Sequence, residues 1–222
     1  MIFEQLFDEK SSTYTYIIAS GEGREALIID PVIEHSNEYS TILKNLDLKL
    51  VKVIDTHIHA DHISALNELN KRTNCIRVMG EKSKSEVVDL RIKDGEKIKI
   101  ENVIVQAIYT PGHTDCSYSF LMDDRVFTGD TLLINGSGRT DFQNGNAHDA
   151  YDSIFNKLLT LPEKTLVYPA HDYNGKKFST IENEKNNNPR LQVSSKEEYA
   201  DIMNNLNLAN PKMMDVAVPA NV

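Results

Sequence analysis

The sequence predicts an α+β fold in which two β-sheets are covered by helices. Short runs of β-branched and aromatic residues recur along the chain, and segments with apolar residues at helical spacing stand between them. Several of the runs end in turns carrying Gly, His or Asp, and in layered folds chemistry sits where such strand ends converge. The 222 residues fall short of the roughly 250–300 at which chains usually divide, so residues 1–222 are expected to form one domain. With 40% hydrophobic residues the supply of core side chains is ample, which excludes a disordered chain.

Taken in order, Thr13–Ala19 and Glu25–Asp30 are strand runs separated by Gly21-Glu22-Gly23 and are expected to pair as a hairpin. Ser36–Leu46 has helical spacing, with Tyr39, Ile42, Leu43 and Leu46 on one face. Leu50–Asp55 is a short buried strand that runs straight into a His-rich turn, and a helix is expected from Asp61, marked by Ile63, Leu66 and Leu69. Val103–Tyr109 is a strand that stops at Thr110-Pro111-Gly112. Tyr118–Met122 and Arg125–Thr128 flank an Asp123-Asp124 turn. A helix over 147–159 buries Tyr151, Ile154, Phe155, Leu158 and Leu159, and Thr165–Tyr168 is a further strand. Helices near Thr180–Asn187 and Lys196–Leu206 follow. No fixed-period repeat and no flexible linker interrupts this order.

Composition narrows the partners. Lys and Arg number 24 against 33 Asp and Glu, a net charge of −9, and no basic stripe offsets it, so nucleic acid is not expected as a ligand. No apolar run reaches the roughly 20 residues that span a bilayer, so no membrane association is expected. Met1–Lys10 alternates apolar and acidic residues, unlike a secretory signal or a transit peptide. The two cysteines, Cys75 and Cys116, are far apart and form no CxxC. Together these features predict unpaired thiols and a cytoplasmic protein.

The histidines carry the strongest signal. Thr56-His57-Ile58-His59-Ala60-Asp61-His62 packs three of the seven histidines into a strand-to-helix turn. His57 and His59 are two apart and point the same way in extended backbone. Asp61 and His62 would open the helix and turn back toward the same point. Imidazoles and a carboxylate at that spacing form a nitrogen and oxygen pocket suited to a first-row metal. Three further strand ends supply candidates: His113 in Pro111-Gly112-His113-Thr114, Asp130 in Phe127-Thr128-Gly129-Asp130, and His171 in Tyr168-Pro169-Ala170-His171. A solvated polar turn with Asp61 as a helix cap would not recruit five of seven histidines. His35 and His148 are given no role. By spacing alone the seven ligand-type residues could hold one metal or two.

The order HxHxDH, His113, Asp130, His171 resembles the metallo-β-lactamase superfamily, which implies a four-layer αββα sandwich with metal at one edge of the sheets. Within it, Gly136–Gln143, Tyr168–Tyr173, Asn188-Pro189-Arg190-Leu191 and the tail Asn205–Leu208 with Val218-Pro219-Ala220-Asn221 resemble the ETHE1-type persulfide dioxygenases. That resemblance implies one Fe(II) per chain on His57, His113 and Asp130, these three being the catalytic centre. His59, Asp61, His62 and His171 would then be supporting groups or ligands of a second metal. It also implies oxidation of glutathione persulfide by O₂ to sulfite with release of glutathione. Arg139, Arg190 and Tyr173 are expected to bind the tripeptide, and a homodimer is compatible with all of this. The rivals are a glyoxalase II-like thioesterase with a zinc or mixed dinuclear site, and a non-catalytic metal or glutathione carrier. Gly136-Ser137-Gly138 lacks the residues of a P-loop or a dinucleotide loop and is not expected to bind phosphate. Cys116 is expected to be a buried spacer.

Overall fold

In the computed structural model, which describes residues 1–222, the β-branched runs assemble into two six-stranded sheets. The first holds β1 (Ile2–Asp8), β2 (Thr13–Ala19), β3 (Glu25–Ile29), β4 (Lys49–Ile54), β5 (Ile76–Gly80) and β6 (Leu90–Ile92), side by side in chain order. β1, β2 and β3 pair antiparallel, so the expected hairpin is present, and β3 to β6 are parallel. The crossover between β3 and β4 carries helix α1 (Ser36–Asn45), and that between β4 and β5 carries α2 (Leu66–Thr73).

The second sheet begins with β7 (Lys97–Ile100), β8 (Val103–Tyr109), β9 (Tyr118–Leu121) and β10 (Arg125–Gly129), an antiparallel run. A small hairpin follows, β11 (Leu132–Leu133) with β12 (Gly136–Ser137), and then helix α3 (Ala147–Phe155). β13 (Leu166–Pro169) returns parallel to β10, and β14 (Ser179–Thr180) closes the edge. Helices α4 (Ile181–Asn187), α5 (Lys196–Asn204) and α6 (Met214–Asn221) complete the chain.

The burial pattern explains why these elements stack in four layers. Alternate residues of a strand face opposite sides, and in β2 both sides are apolar. Tyr16 and Ile18 point into a core shared with Phe120, Phe127 and Tyr168 of the second sheet. Ile17 and Ala19 point the other way, into a core with Tyr39, Leu43, Leu66 and Leu69 of α1 and α2. The far face of the second sheet, Val126 and Val167, packs on Ile154, Ile181 and Tyr199 of α3, α4 and α5. Three separate cores therefore define the order α, β, β, α.

Three expectations change. The helix expected from Asp61 begins only at Leu66, because residues 57–65 form an irregular turn. The helix expected over 147–159 ends at Phe155, and Leu158–Thr160 form a separate 3-10 turn. Strand β3 ends at Ile29 because Asp30 turns into the left-handed region, with φ 50°.

Candidate metal centre

The metal-type side chains follow the C-terminal ends of four strands. His57 follows β4, His113 follows β8, Asp130 follows β10 and His171 follows β13. The first belongs to one sheet and the other three to its partner, and the two sheets are tied together here. Tyr14 N–H donates to Ala170 O at 2.7 Å, and Thr13 forms an isolated bridge with His171. The site thus sits on the seam where the sheets meet.

His57, His113 and Asp130 bring their ligand atoms within 4.8 Å of one another, and His59, Asp61 and His62 form a second such group. His113 Nε2 lies 3.6 Å from Asp130 Oδ2. The imidazole tautomers follow from their partners. Arg139 O lies 2.8 Å from His113 Nδ1, and a carbonyl can only accept, so Nδ1 carries the proton and Nε2 is free. Thr56 Oγ1 donates to Asp30 and accepts from His57 Nδ1 at 2.9 Å, which frees His57 Nε2 in the same way. Such a partner on the far nitrogen is what fixes a metal-binding histidine.

Asp30 organises the floor. It receives Thr56 N–H at 2.7 Å, Thr56 Oγ1–H at 3.0 Å and His59 Nε2 at 3.1 Å. Gly129 makes the approach possible: its φ is 51°, and a Cβ there would stand 2.7 Å from Thr56 Oγ1. Burial works against a charge on His59, yet Asp30 and Asp55 outweigh it and push its pKa to about 9. Asp55 itself is pushed up to about 7 by burial.

Between the two groups stands His171. Its Nδ1 is 2.6 Å from Asp130 Oδ1 and its Nε2 is 2.9 Å from Asp61 Oδ2. Burial opposes its charge, but the two carboxylates outweigh burial and hold it well above the usual imidazole range. Burial likewise works against ionising Asp130, and the charge and hydrogen bond of His171 hold it ionised regardless. His57 goes the other way, since burial and the neighbouring His59 and His113 keep it neutral and able to donate a lone pair.

A metal fits this donor set. The Nε2 atoms of His57 and His113 and the carboxylate of Asp130 converge, and in the neighbouring group His59 Nδ1 and His62 Nε2 are buried without any hydrogen-bond partner. Buried polar atoms are rarely left so, and an ion or water accounts for them. The group opens into a cavity of about 1010 Å³ lined by His113, Asp130, His171 and Arg190 among others.

The expected tripeptide-binding residues all reach this cavity but differ in state. Arg190 donates to Ser137 O and has no carboxylate partner, and burial lowers its pKa. Arg139 forms a two-pronged pair with Asp141 at 2.6 and 2.7 Å, stacks on Phe142 and donates to Ala209 O at 2.7 Å. Its guanidinium is already engaged. Tyr173 is 72% exposed at the mouth. Cys116 and Cys75 are both free and buried.

Several residues of the site carried no clear sequence signal. Asp30, Thr13 and Thr56 are single polar residues next to strands, and only Asp30, the residue after an apolar strand, repeats the pattern that marks Asp130. Glu184, fully buried, accepts from Ser179, Asn183, Asn188 and Asn135 N and braces the segment that carries Arg190.

Comparison with known proteins agrees with this architecture. The family model of the metallo-beta-lactamase superfamily matches residues 9–171. Persulfide dioxygenase ETHE1, mitochondrial, of Mus musculus is 43% identical over 100% of the chain and 88% of its own length. The crystal structure of ETHE1 from Myxococcus xanthus is 49% identical, covers 100% of this chain and 98% of that one, and superposes with a TM-score of 0.97. The hydroxyacylglutathione hydrolase of Dictyostelium discoideum is 30% identical over 78% of this chain and 68% of its own.

Proposed function

The chain belongs to the metallo-beta-lactamase superfamily and, within it, to the persulfide dioxygenases, and from that membership we propose that it oxidises glutathione persulfide at a single Fe(II) held by His57, His113 and Asp130. It is an oxidoreductase, and the thioesterase alternative is not favoured. The terminal sulfur takes both atoms of O₂ and one oxygen from water, the S–S bond breaks, and sulfite and glutathione thiol are released. The whole of residues 1–222 serves as one domain, working in the cytoplasm, although the mouse relative is named mitochondrial.

His57, His113 and Asp130 would hold Fe(II) through two imidazoles and one carboxylate, a set that would leave positions for a sulfur anion and O₂, and the metal would supply the one-electron chemistry between them. Kinship with the persulfide dioxygenases is what supports a single metal over two. His171 bridges the two groups, with its ring nitrogens 2.6 Å from Asp130 Oδ1 and 2.9 Å from Asp61 Oδ2. It also fixes Asp130 so that the other carboxylate oxygen faces His113.

The remaining residues orient the substrate. Arg190 is a half-buried cation that donates to the Ser137 carbonyl and has no carboxylate partner, which makes it the group to meet a glutathione carboxylate. Lys10 and Lys212 add positive charge to the same cavity, while Asp8 and Glu34 offer acids for the ammonium. Tyr173 can donate its hydroxyl at the mouth. Arg139 shapes the wall through Asp141 and Ala209.

Metal analysis of protein purified without added metal tests the reading. One iron per chain is expected, and Asp130→Ala should lose iron and turnover together. Two zinc equivalents, with activity restored by zinc after chelation, would defeat it.

A further inference from the structure

We propose that Asn221 is a positioning residue for the metal-binding turn, so that docking of α6 and retention of the metal are coupled; this rests on the turn holding a metal, and not on the reaction. Residues 57–62 belong to no helix or strand, and only Ile63–Ala65 are tied to Pro31–Ile33 by a short bridge, so the backbone that presents His57, His59, Asp61 and His62 lacks a ladder of its own. Three of its groups are satisfied by one side chain. Asn221 Nδ2 donates to His59 O at 3.0 Å and to His62 O at 2.9 Å, and its Oδ1 accepts from Ser64 N–H at 2.9 Å. Both amide protons and the carbonyl are used, and no other donor meets either backbone oxygen.

Asn221 is itself buried, and it lies 157 to 162 residues along the chain from the groups it holds. In α6 only Ala217 and Asn221 are fully buried, Met214 and Val218 are half-buried, and Val216 is 55% exposed. Asn221 is the polar anchor of a helix that docks through a small apolar face.

The segment before α6 is tied at its other end to a second ligand. Arg139 donates to Ala209 O, while the Arg139 carbonyl accepts from His113 Nδ1. Between these two anchors, residues 208–213 form one wall of the cavity. The tail thus spans from the His113 segment to the HxHxDH turn, and Asn221 is the link at the turn.

Coupling is reciprocal: if Asn221 holds the metal-ready turn, metal must in turn hold Asn221. In the unmutated protein, hydrogen exchange with and without one equivalent of zinc should show residues 214–221 exchanging several-fold more slowly when zinc is bound, with α5 unchanged. Asn221→Ala should release zinc to a chelator about tenfold faster, the usual size for loss of a group that orients a ligand. Asn221→Asp, which keeps the acceptor for Ser64 but faces two carbonyl oxygens with a carboxylate, should do the same. Val216→Ala on the same helix should release zinc within about twofold of the parent. A purely structural anchor would loosen α6 and leave zinc release unchanged. Equal exchange of 214–221 with and without zinc would overturn the proposal, even if no Asn221 variant folds. Both arms use zinc, so a failure of the iron or persulfide reading leaves them decisive.

Discussion

Gly138→Ala is a one-methyl change expected to empty the metal centre. A Cβ at this position would stand 2.0 Å from the backbone oxygen of Asp130 and 3.0 Å from His113 Cγ. Ordinary contact begins near 3.4 Å, so the Asp130 carbonyl must move by about 1.4 Å, and it is backbone rather than the tip of a flexible side chain. Overpacking of this kind costs ~1–3 kcal/mol of stability, and a misplacement of ~1 Å at reacting groups costs about a hundredfold in rate. Two of the three proposed iron ligands are pushed at once, so the effect on metal should exceed the effect on the fold. Metal content per folded chain, measured beside a thermal melt of the metal-free protein, separates the two. The expected result is less than a fifth of the parent's metal with the metal-free melting temperature lowered by about 3–8 °C. Full metal occupancy with activity within about twofold of the parent would refute the reasoning.

Other expectations follow from single residues. Arg190→Ala should raise KM for glutathione persulfide about tenfold, the loss of ~1.5 kcal/mol from one charge-assisted contact, with kcat less affected; steady-state kinetics decide this. Glu184→Ala should destabilise the protein by ~3 kcal/mol in urea unfolding, because Ser179 Oγ and the half-buried Asn135 N–H lose their acceptor and Asn188 keeps only its bond to Gly136 O. His35 sits between Asp8 and Glu38, each 2.9 Å away, and these raise its pKa against the opposing effect of burial. A raised folded pKa gives stability that is complete below the unfolded value of 6.5 and is lost as pH rises through the folded value. His35→Gln should therefore cost more stability near pH 5.5 than near pH 9, and an equal cost at both would contradict the assignment.

The strands and ligands were legible where one local pattern sufficed. The runs Thr13–Ala19 and Val103–Tyr109 became β2 and β8, and each of the four strand-end turns delivered its His or Asp to one site. β1, β5, β6 and β7 went unassigned: Ile2–Asp8 pairs apolar and polar residues two by two rather than alternating them, and β5, β6 and β7 are runs of only three to five residues. The helix start at Asp61 was misplaced because HxHxDH followed by Ile63 and Leu66 satisfies helical spacing. The turn instead yields its geometry to the metal site, with Asn221 supplying the missing hydrogen bonds. That contact joins residues far apart in the chain, and no periodicity encodes it. The engagement of Arg139 with Asp141, two positions away, was within reach of the sequence, but its hold on Ala209 was not.

The central claim is oxidation of a glutathione persulfide sulfur at one iron. It is tested most directly by oxygen uptake with glutathione persulfide, run beside S-lactoylglutathione hydrolysis on the same iron-loaded preparation. The account predicts oxygen consumption with matching sulfite formation and negligible thioester cleavage. A flat oxygen trace together with rapid S-lactoylglutathione hydrolysis would contradict it.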